Sequence, residues 1–332
     1  MTAPLADTFG RVHRDLRISL TDRCSLRCTY CMPADGVPWL RRDSLLTTDE
    51  LVRVARVAVE AGITTLRLTG GEPLLRPDVV DVVARMAALE GPDGTPEISL
   101  TTNALKLPEL AEPLVEAGLD RVNISLDTLR ADRFLALTRR DRLDDTLAGI
   151  DAAVRAGLAP VKLNTVVMRG VNDDEIVDLA EFATTRGLHL RFIEQMPLDA
   201  GHTWDRGTMV EADEILDALT ARWSLAERPG RGADPAQTWV LDGGPTTIGV
   251  IASVTRPFCG SCDRIRLTAD GQVRACLFAR TETDVRAVLR SGGSDSDVDA
   301  AIRRCLLGKK AGHDIDDPGF LQPTRPMSAI GG

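Results

Sequence analysis

At 332 residues the chain is long enough for one large domain with an appendage or for two domains, and an apolar fraction of 43% suffices for a buried core. A formal net charge of −9 excludes a general nucleic-acid or membrane-surface binder, which would carry a basic face, so local basic clusters point instead to a pocket for a small anion. Met1 to Arg17 holds no apolar core of signal-peptide length and no run is long enough to span a bilayer. A cytoplasmic, reduced setting is therefore expected, in which the seven cysteines read as metal ligands rather than disulfides.

In chain order, the first apolar run, Leu16–Leu20, leads into Thr21-Asp22-Arg23 and the triplet Cys24-x3-Cys28-x2-Cys31, which encloses the single tyrosine, Tyr30. Three thiolates are one short of closing an Fe4S4 cube or a tetrahedral zinc site, so one coordination position stays free for chemistry. An amphipathic stretch follows at Thr48–Ala61, opened by the capping residues Thr47-Thr48-Asp49-Glu50, and then a strand at Thr65–Thr69 ending in Gly70-Gly71-Glu72-Pro73. The pattern repeats. Helical stretches at Pro77–Leu89, Glu109–Ala117, Leu143–Ala156 and Asp173–Arg186 alternate with strands at Ile98–Thr101, Val122–Leu126, Val161–Val167 and Leu188–Ile193. Six such βα units imply a parallel sheet curled toward a barrel but fewer than the eight that close one. The expected fold is α/β, a partial (β/α)6 TIM-type barrel with an open side. Polar or glycine-rich residues end or follow each run, and in parallel barrels those strand ends form the rim where sites are built.

The pattern changes after Pro197. A loop at 199–207 and a helix at Glu211–Trp223 precede a stretch rich in Gly, Pro and Arg at 228–236, then short strands at Trp239–Leu241 and Thr246–Ser253. The second triplet is Cys259-x2-Cys262-x13-Cys276. Between its members, Arg264–Thr268 and Val273–Cys276 flank Asp270-Gly271, a hairpin signal; a two-residue turn there places Cys276 opposite Ile265. A polar link, a helix to Leu307 and an irregular tail ending Gly331-Gly332 complete the chain. Cys305 sits in the apolar helical pattern of Val298, Ile302 and Leu306 and reads as a core residue. The expected division is 1–200 for the barrel and 201–332 for a smaller α+β domain that covers its open side.

Arg264 and Arg266 are two apart on a strand and share a face, a geometry that suits an anion clamp beside a metal site. Arg17, Arg67, Lys162 and Arg191 lie on or beside barrel strands and can join them. Cations on inward positions of buried strands are better explained by a phosphate-rich ligand than by surface ion pairs.

The first triplet with Gly70-Gly71-Glu72-Pro73 resembles the radical S-adenosylmethionine (SAM) superfamily. Together with Asp15-Leu16-Arg17-Ile18-Ser19, Asn123-Ile124-Ser125-Leu126-Asp127, Arg191-Phe192-Ile193-Glu194, the second triplet and the double-glycine end, the chain closely resembles the GTP 3′,8-cyclase family of molybdenum cofactor biosynthesis over almost its whole length. The resemblance implies two [4Fe-4S] clusters, one on Cys24, Cys28 and Cys31 and one on Cys259, Cys262 and Cys276. It implies that the first cleaves SAM to a 5′-deoxyadenosyl radical, which takes the 3′ hydrogen of GTP. The ribose radical then attacks C8 to give 3′,8-cyclo-7,8-dihydro-GTP, while the second cluster holds the guanine. Tyr30, Gly71, Ser125 and Met196 match the SAM contacts, within a motif that adds Gly70 and Glu72. Arg17, Arg67, Thr101, Lys162, Arg264 and Arg266 match the GTP contacts, Arg191 is a further phosphate candidate, and Gly332 joins the catalytic group through a tail that reaches the site. One departure is Thr65, where relatives can have a lysine. The resemblance also implies an electron donor such as a flavodoxin or ferredoxin, delivery of product to cyclic pyranopterin monophosphate synthase, no nucleic-acid or membrane partner, and a monomer or homodimer. Two rival readings are a radical SAM peptide-modifying maturase, which tends to use more auxiliary cysteines than the spare Cys305 supplies, and a non-catalytic zinc-binding scaffold. Against the scaffold, His189, His202 and His313 lack ligand-like spacing.

Overall fold

The expected alternation of strand and helix is what the computed structural model shows over the residues it describes, 3–331. The strands β1 (Asp15–Ser19), β2 (Thr65–Thr69), β3 (Glu97–Thr102), β4 (Arg121–Ser125), β5 (Val161–Val167) and β6 (His189–Glu194) run parallel in that order. Between them lie α1 (Thr48–Glu60), α2 (Val79–Ala87), α3 (Leu107–Glu116), α4 (Ala131–Thr138), α5 (Leu143–Arg155) and α6 (Ile176–Thr185). The Thr47 side chain accepts from the Glu50 N–H and the Glu50 carboxylate from the Thr47 N–H, the reciprocal cap read from sequence. Helix α2 begins two residues after Pro77 rather than at it. The Asp78 carboxylate that could cap it instead takes the Thr48 hydroxyl and the Arg76 guanidinium.

Strand periodicity separates two faces. Leu66 and Leu68 on β2, Ile98 and Leu100 on β3, and Val122 and Ile124 on β4 are fully buried in the apolar core with the helices. Each such side chain contributes about 1.5–3 kcal/mol by leaving water. Their neighbours face the barrel interior and are polar. Register lines these up in oblique rows: Arg266, Arg17, Arg67, Ser99 and Arg121 in one, Thr101, Asn123, Lys162 and His189 in the next, and Ser125, Asn164 and Arg191 in a third.

The C-terminal segment contributes α7 (Ala212–Thr220), β7 (Leu225–Glu227), β8 (Gln237–Leu241), β9 (Thr247–Ile251), β10 (Arg264–Leu267), β11 (Gln272–Arg274), β12 (Thr283–Asp284), α8 (Val285–Arg290), α9 (Asp295–Leu307) and α10 (Met327–Ile330). Two of its strands extend the parallel array, β10 beside β1 and β9 beside β6, so eight parallel strands stand in a row where six were expected. β11 and β12 continue antiparallel from one edge and β8 and β7 from the other; β9 and β10 are not joined, and the barrel stays open between them. The β10–β11 turn has three residues, not two. Around Ala269-Asp270-Gly271, Thr268 N–H donates to Gln272 O and Gln272 N–H to the Thr268 hydroxyl, and Arg266 faces Arg274, so Cys276 falls one register step from the place expected for it. Among the described residues, no helix is long and apolar enough to cross a membrane.

Candidate active site

The first cysteine triplet lies on the loop after β1, and that loop is pinned on all sides. Arg27 N–H and Thr29 N–H donate to the carbonyls of Thr138 and Leu137 at the end of α4, and the Arg139 guanidinium donates to Arg27 O at 2.7 Å. From below, Gly71 N–H reaches Thr21 O and Glu72 N–H reaches Arg23 O, both at 2.7 Å. A Cβ on Gly71 would sit 2.3 Å from Arg23 O, and one on Gly70 2.5 Å from Thr21 O. These two glycines let two backbones touch, which sets the cysteine loop on the strand end. Glu72 supports the same junction. Its buried carboxylate accepts from Leu74 N–H, the Thr102 hydroxyl and Asn103 N–H, and burial still pushes it up to about 7.

Cys24, Cys28 and Cys31 are free thiols on one cavity of about 210 Å³, which Tyr30, Gly70, Gly71, Glu72, Thr101, Ser125 and Met196 also line. Burial pushes the Cys24 thiol up to about 11 and Cys31 to about 12; Cys28 is raised well above its usual value by burial and then by Asp127 and its two neighbours. Three thiolates cannot share this pocket without a metal to hold them. The donor set fits a cluster: Leu26 N–H and the Asn103 amide both point at Cys24 Sγ, at 3.4 and 3.8 Å, the kind of N–H···S contact that tunes iron–sulfur centres. The Tyr30 hydroxyl donates to Asp127 Oδ2 at 2.7 Å, tying the loop to the end of β4. Burial holds Asp127 up at about 6.

A second cavity, of about 160 Å³, is lined by Cys259, Cys262 and Cys276 and by Arg17, Arg67, Arg191, Arg264 and Arg266. Burial pushes Arg191 and Arg266 down to about 10, and Arg17 lies well below its usual value through burial and then Arg266 and Arg67. Counter-charge is thin: Asp15 stands 3.6 Å from Arg67 and Asp234 3.3 Å from Arg191. Such a set stabilises a polyanion. The Cys262 thiol is raised by burial but lowered more by Arg264 and Lys309, and ends below its usual value. The Lys309 ammonium lies 3.7 Å from Cys262 Sγ and donates to Arg264 O at 2.6 Å. Arg11 donates to Cys259 O at 2.6 Å from the N-terminal segment. His313 also lines this cavity, but Nε2 is engaged by Ser253 O and Nδ1 by Ile315 N–H, so neither ring nitrogen is spare for a metal.

Thr101, Asn164, Ile193, Met196 and Met327 line both cavities, which therefore adjoin. Of the residues singled out from sequence, Lys162 lines neither. It stands near the start of β5, opposite Asn123, and burial with Arg191 and Arg121 holds it down at about 8. Gly332 lies outside the described residues. Lys309, Arg11 and the tail residue Met327 were missed, since each reaches the site across a long sequence separation and none belongs to a local motif; Asp127 stands in the Asn123–Asp127 stretch noted from sequence, but its bond to Tyr30 does not follow from that stretch.

An open parallel barrel with a three-cysteine loop at its rim defines a radical SAM protein. Residues 18–183 match the Radical SAM superfamily and residues 188–315 match Molybdenum Cofactor Synthesis C. The chain is 58% identical over 331 residues to the GTP 3′,8-cyclase of Streptomyces coelicolor, covering 99% of this chain and 96% of the relative. It is 56% identical over 337 residues to that of Corynebacterium glutamicum, covering 99% and 89%. The chain belongs to the GTP 3′,8-cyclase family. The fold is similar to that of Streptococcus suis SuiB, with a TM-score of 0.57 at 15% identity over 85% of this chain, and the chain spans 63% of SuiB.

Proposed function

We propose that the chain converts GTP to 3′,8-cyclo-7,8-dihydro-GTP, the first step of molybdenum cofactor biosynthesis. Cys24, Cys28 and Cys31 hold one [4Fe-4S] cluster, and Cys259, Cys262 and Cys276 hold a second. The observation that carries this reading is the shared wall of Thr101, Asn164, Ile193, Met196 and Met327, across which SAM at the first triplet and a nucleotide at the second come together. When bound, the first cluster and SAM supply the reducing electron and the hydrogen-abstracting radical.

The chain's own residues bind, orient and shield. Tyr30, Gly71, Ser125 and Met196 line the SAM side, with Gly70 and Glu72 fixing the loop behind them. Arg17, Arg67, Arg191, Arg264 and Arg266, with Thr101, take the triphosphate, and Lys162, outside the cavity lining, adds its charge from β5. Most of these cations are already desolvated and held by neighbouring strands, so little reorganisation accompanies binding. Apolar walls at Ile251, Phe258 and Phe278 keep water from the reacting ribose. Residues 1–200 carry SAM cleavage and residues 201–332 orient the substrate; Gly332 acts with the tail. The setting is cytoplasmic, a flavodoxin or ferredoxin gives the electron, and cyclic pyranopterin monophosphate synthase takes the product.

The test is anaerobic reconstitution, iron and sulfide counting, and incubation with GTP, SAM and reductant, with products read by mass spectrometry. Cys24→Ala is expected to abolish SAM cleavage. Cys276→Ala is expected to keep some uncoupled cleavage but to lose the GTP product. Normal cleavage by both variants, or colourless zinc-loaded protein, overturns the assignment.

A further inference from the structure

We propose that Lys309 is a positioning residue for the second cluster: its ammonium, held against Cys262, makes that cluster the more easily reduced of the two; this rests on the two-cluster reading above. Lys309 follows the end of α9 and is only 6% exposed. Its ammonium donates to Arg264 O at 2.6 Å and stands 3.7 Å from Cys262 Sγ, and among the described residues no carboxylate pairs with it. A buried ammonium without counter-charge is destabilising, so the sulfur side must supply that charge. The Arg264 carbonyl takes one of its three N–H groups and fixes its place, which leaves the others for the thiolate.

The first triplet has the opposite surroundings. The donors to Cys24 Sγ are the Leu26 N–H and the Asn103 amide, both neutral. Among the described residues its cavity is lined by the carboxyl groups of Glu72 and Asp127 and by no lysine or arginine, whereas the second is lined by five arginines and no carboxyl group. The Arg27 guanidinium meets the carbonyls of Cys24 and Leu26 rather than a sulfur. A one-electron reduction adds one negative charge to a cluster and makes or breaks no bond. A cation at a ligand sulfur stabilises that charge, so it raises the reduction potential. The first cluster, without such a cation, stays the stronger reductant, which is what breaking a sulfonium bond needs. The five arginines also favour reduction of the second cluster, but a bound triphosphate neutralises them. Lys309 does not line their cavity. It lines a separate one of about 310 Å³, whose wall shares Cys276 with the second, so its charge persists when the nucleotide is bound.

The experiment is a potentiometric titration of the anaerobically reconstituted protein with dithionite and redox mediators, read by electron paramagnetic resonance with and without GTP. The signal lost in Cys24→Ala belongs to the first cluster, and the signal lost in Cys276→Ala to the second. In the wild type the second signal develops at the higher potential. Lys309→Gln keeps an N–H but removes the charge, and shifts that signal to lower potential by roughly a tenfold change in the reduction equilibrium, about 59 mV for one electron. The shift persists with GTP bound. Lys309→Arg keeps the charge and stays near the wild type, and the first signal moves in neither variant. An unmoved second signal in Lys309→Gln, or an equal shift of both signals, overturns the assignment. Should that variant lose its iron, the wild-type order of potentials still decides: a first signal at or above the second overturns it. Wild-type protein that holds iron for one cluster alone overturns the two-cluster reading itself, which is a different result.

Discussion

The Arg266 guanidinium on β10 donates to the main-chain carbonyl of Gly331, which links the cation row of the chamber to the end of the chain. The approach of that end is fixed by Arg325, which takes both Asp270 oxygens at 3.1 and 2.9 Å and pairs with Glu282 at 2.7 Å. Gly331 has φ +85°, and a Cβ there would meet Thr69 Oγ1 at 2.6 Å and Ser19 Cβ at 3.0 Å. Gly331→Ala is therefore expected to push the tail off Arg266 and to slow product formation at least about tenfold, the worth of one well-placed charge-assisted hydrogen bond. Iron content and thermal midpoint should hold, because the tail's last residues carry little of the core. Wild-type turnover in this variant would remove the tail contact from the mechanism.

Local chemistry made much of this fold readable in the sequence. The Thr47 cap and the strands Thr65–Thr69 and Val161–Val167 follow from short-range pattern and appear where expected. What depends on distant partners did not show. β9 and β10 join the barrel edges as parallel strands through pairings far apart in sequence, and α4 is too short to show an apolar period. Strand parity indicated that Lys162 faces inward, but its height in the barrel depends on stagger between strands, and that left it outside the cavity lining. The hairpin register slipped by one because Asp270 accepts from the Thr268 hydroxyl and from Arg325, which stabilises a longer turn.

Glu194, the last residue of β6, accepts from Ala212 N–H at 2.9 Å, Val254 N–H at 2.8 Å, Thr255 N–H at 3.0 Å and the Thr255 hydroxyl, and is fully buried. One carboxylate thus ties the barrel to the start of α7 and to the segment before the second triplet. Glu194→Gln keeps the shape but turns an NH2 toward donors, so unfolding stability should fall by about 3 kcal/mol. Urea denaturation checks this as a lower midpoint at unchanged slope. A midpoint equal to wild type would show the junction is held by packing alone.

Tyr30 and Asp127 are coupled through a 2.7 Å hydrogen bond, with the other Asp127 oxygen taken by Val166 N–H at 2.9 Å. Tyr30→Phe leaves a buried carboxylate oxygen short of a donor and should cost about 1–3 kcal/mol. Asp127→Asn should cost less, since the amide still accepts from Val166. In a double-mutant cycle the two should couple by about 1 kcal/mol or more. Additive effects would mean that the pair does not brace the cysteine loop.

Lys162 gives the chamber a pH dependence whose sign can be worked out. Burial, then Arg191 on β6 and Arg121 on β4, lower it from 10.5 to about 8, with Asp234 opposing and Arg67 on β2 assisting. A triphosphate beside it favours the charged form, so GTP binding between about pH 8 and 10.5 takes up a proton and affinity falls as pH rises. Unfolding shows the opposite slope. The unfolded chain binds the extra proton in that window, so this group's contribution to the stability of the nucleotide-free protein rises with pH from about 8 to 10.5. Calorimetry in buffers of different ionisation enthalpy reads the uptake directly. Lys162→Arg should keep GTP affinity level from pH 8 to 9, and Lys162→Met should bind more weakly at pH 7 with no uptake at pH 8.5. Wild-type binding without proton uptake at pH 8.5 would separate Lys162 from the phosphates.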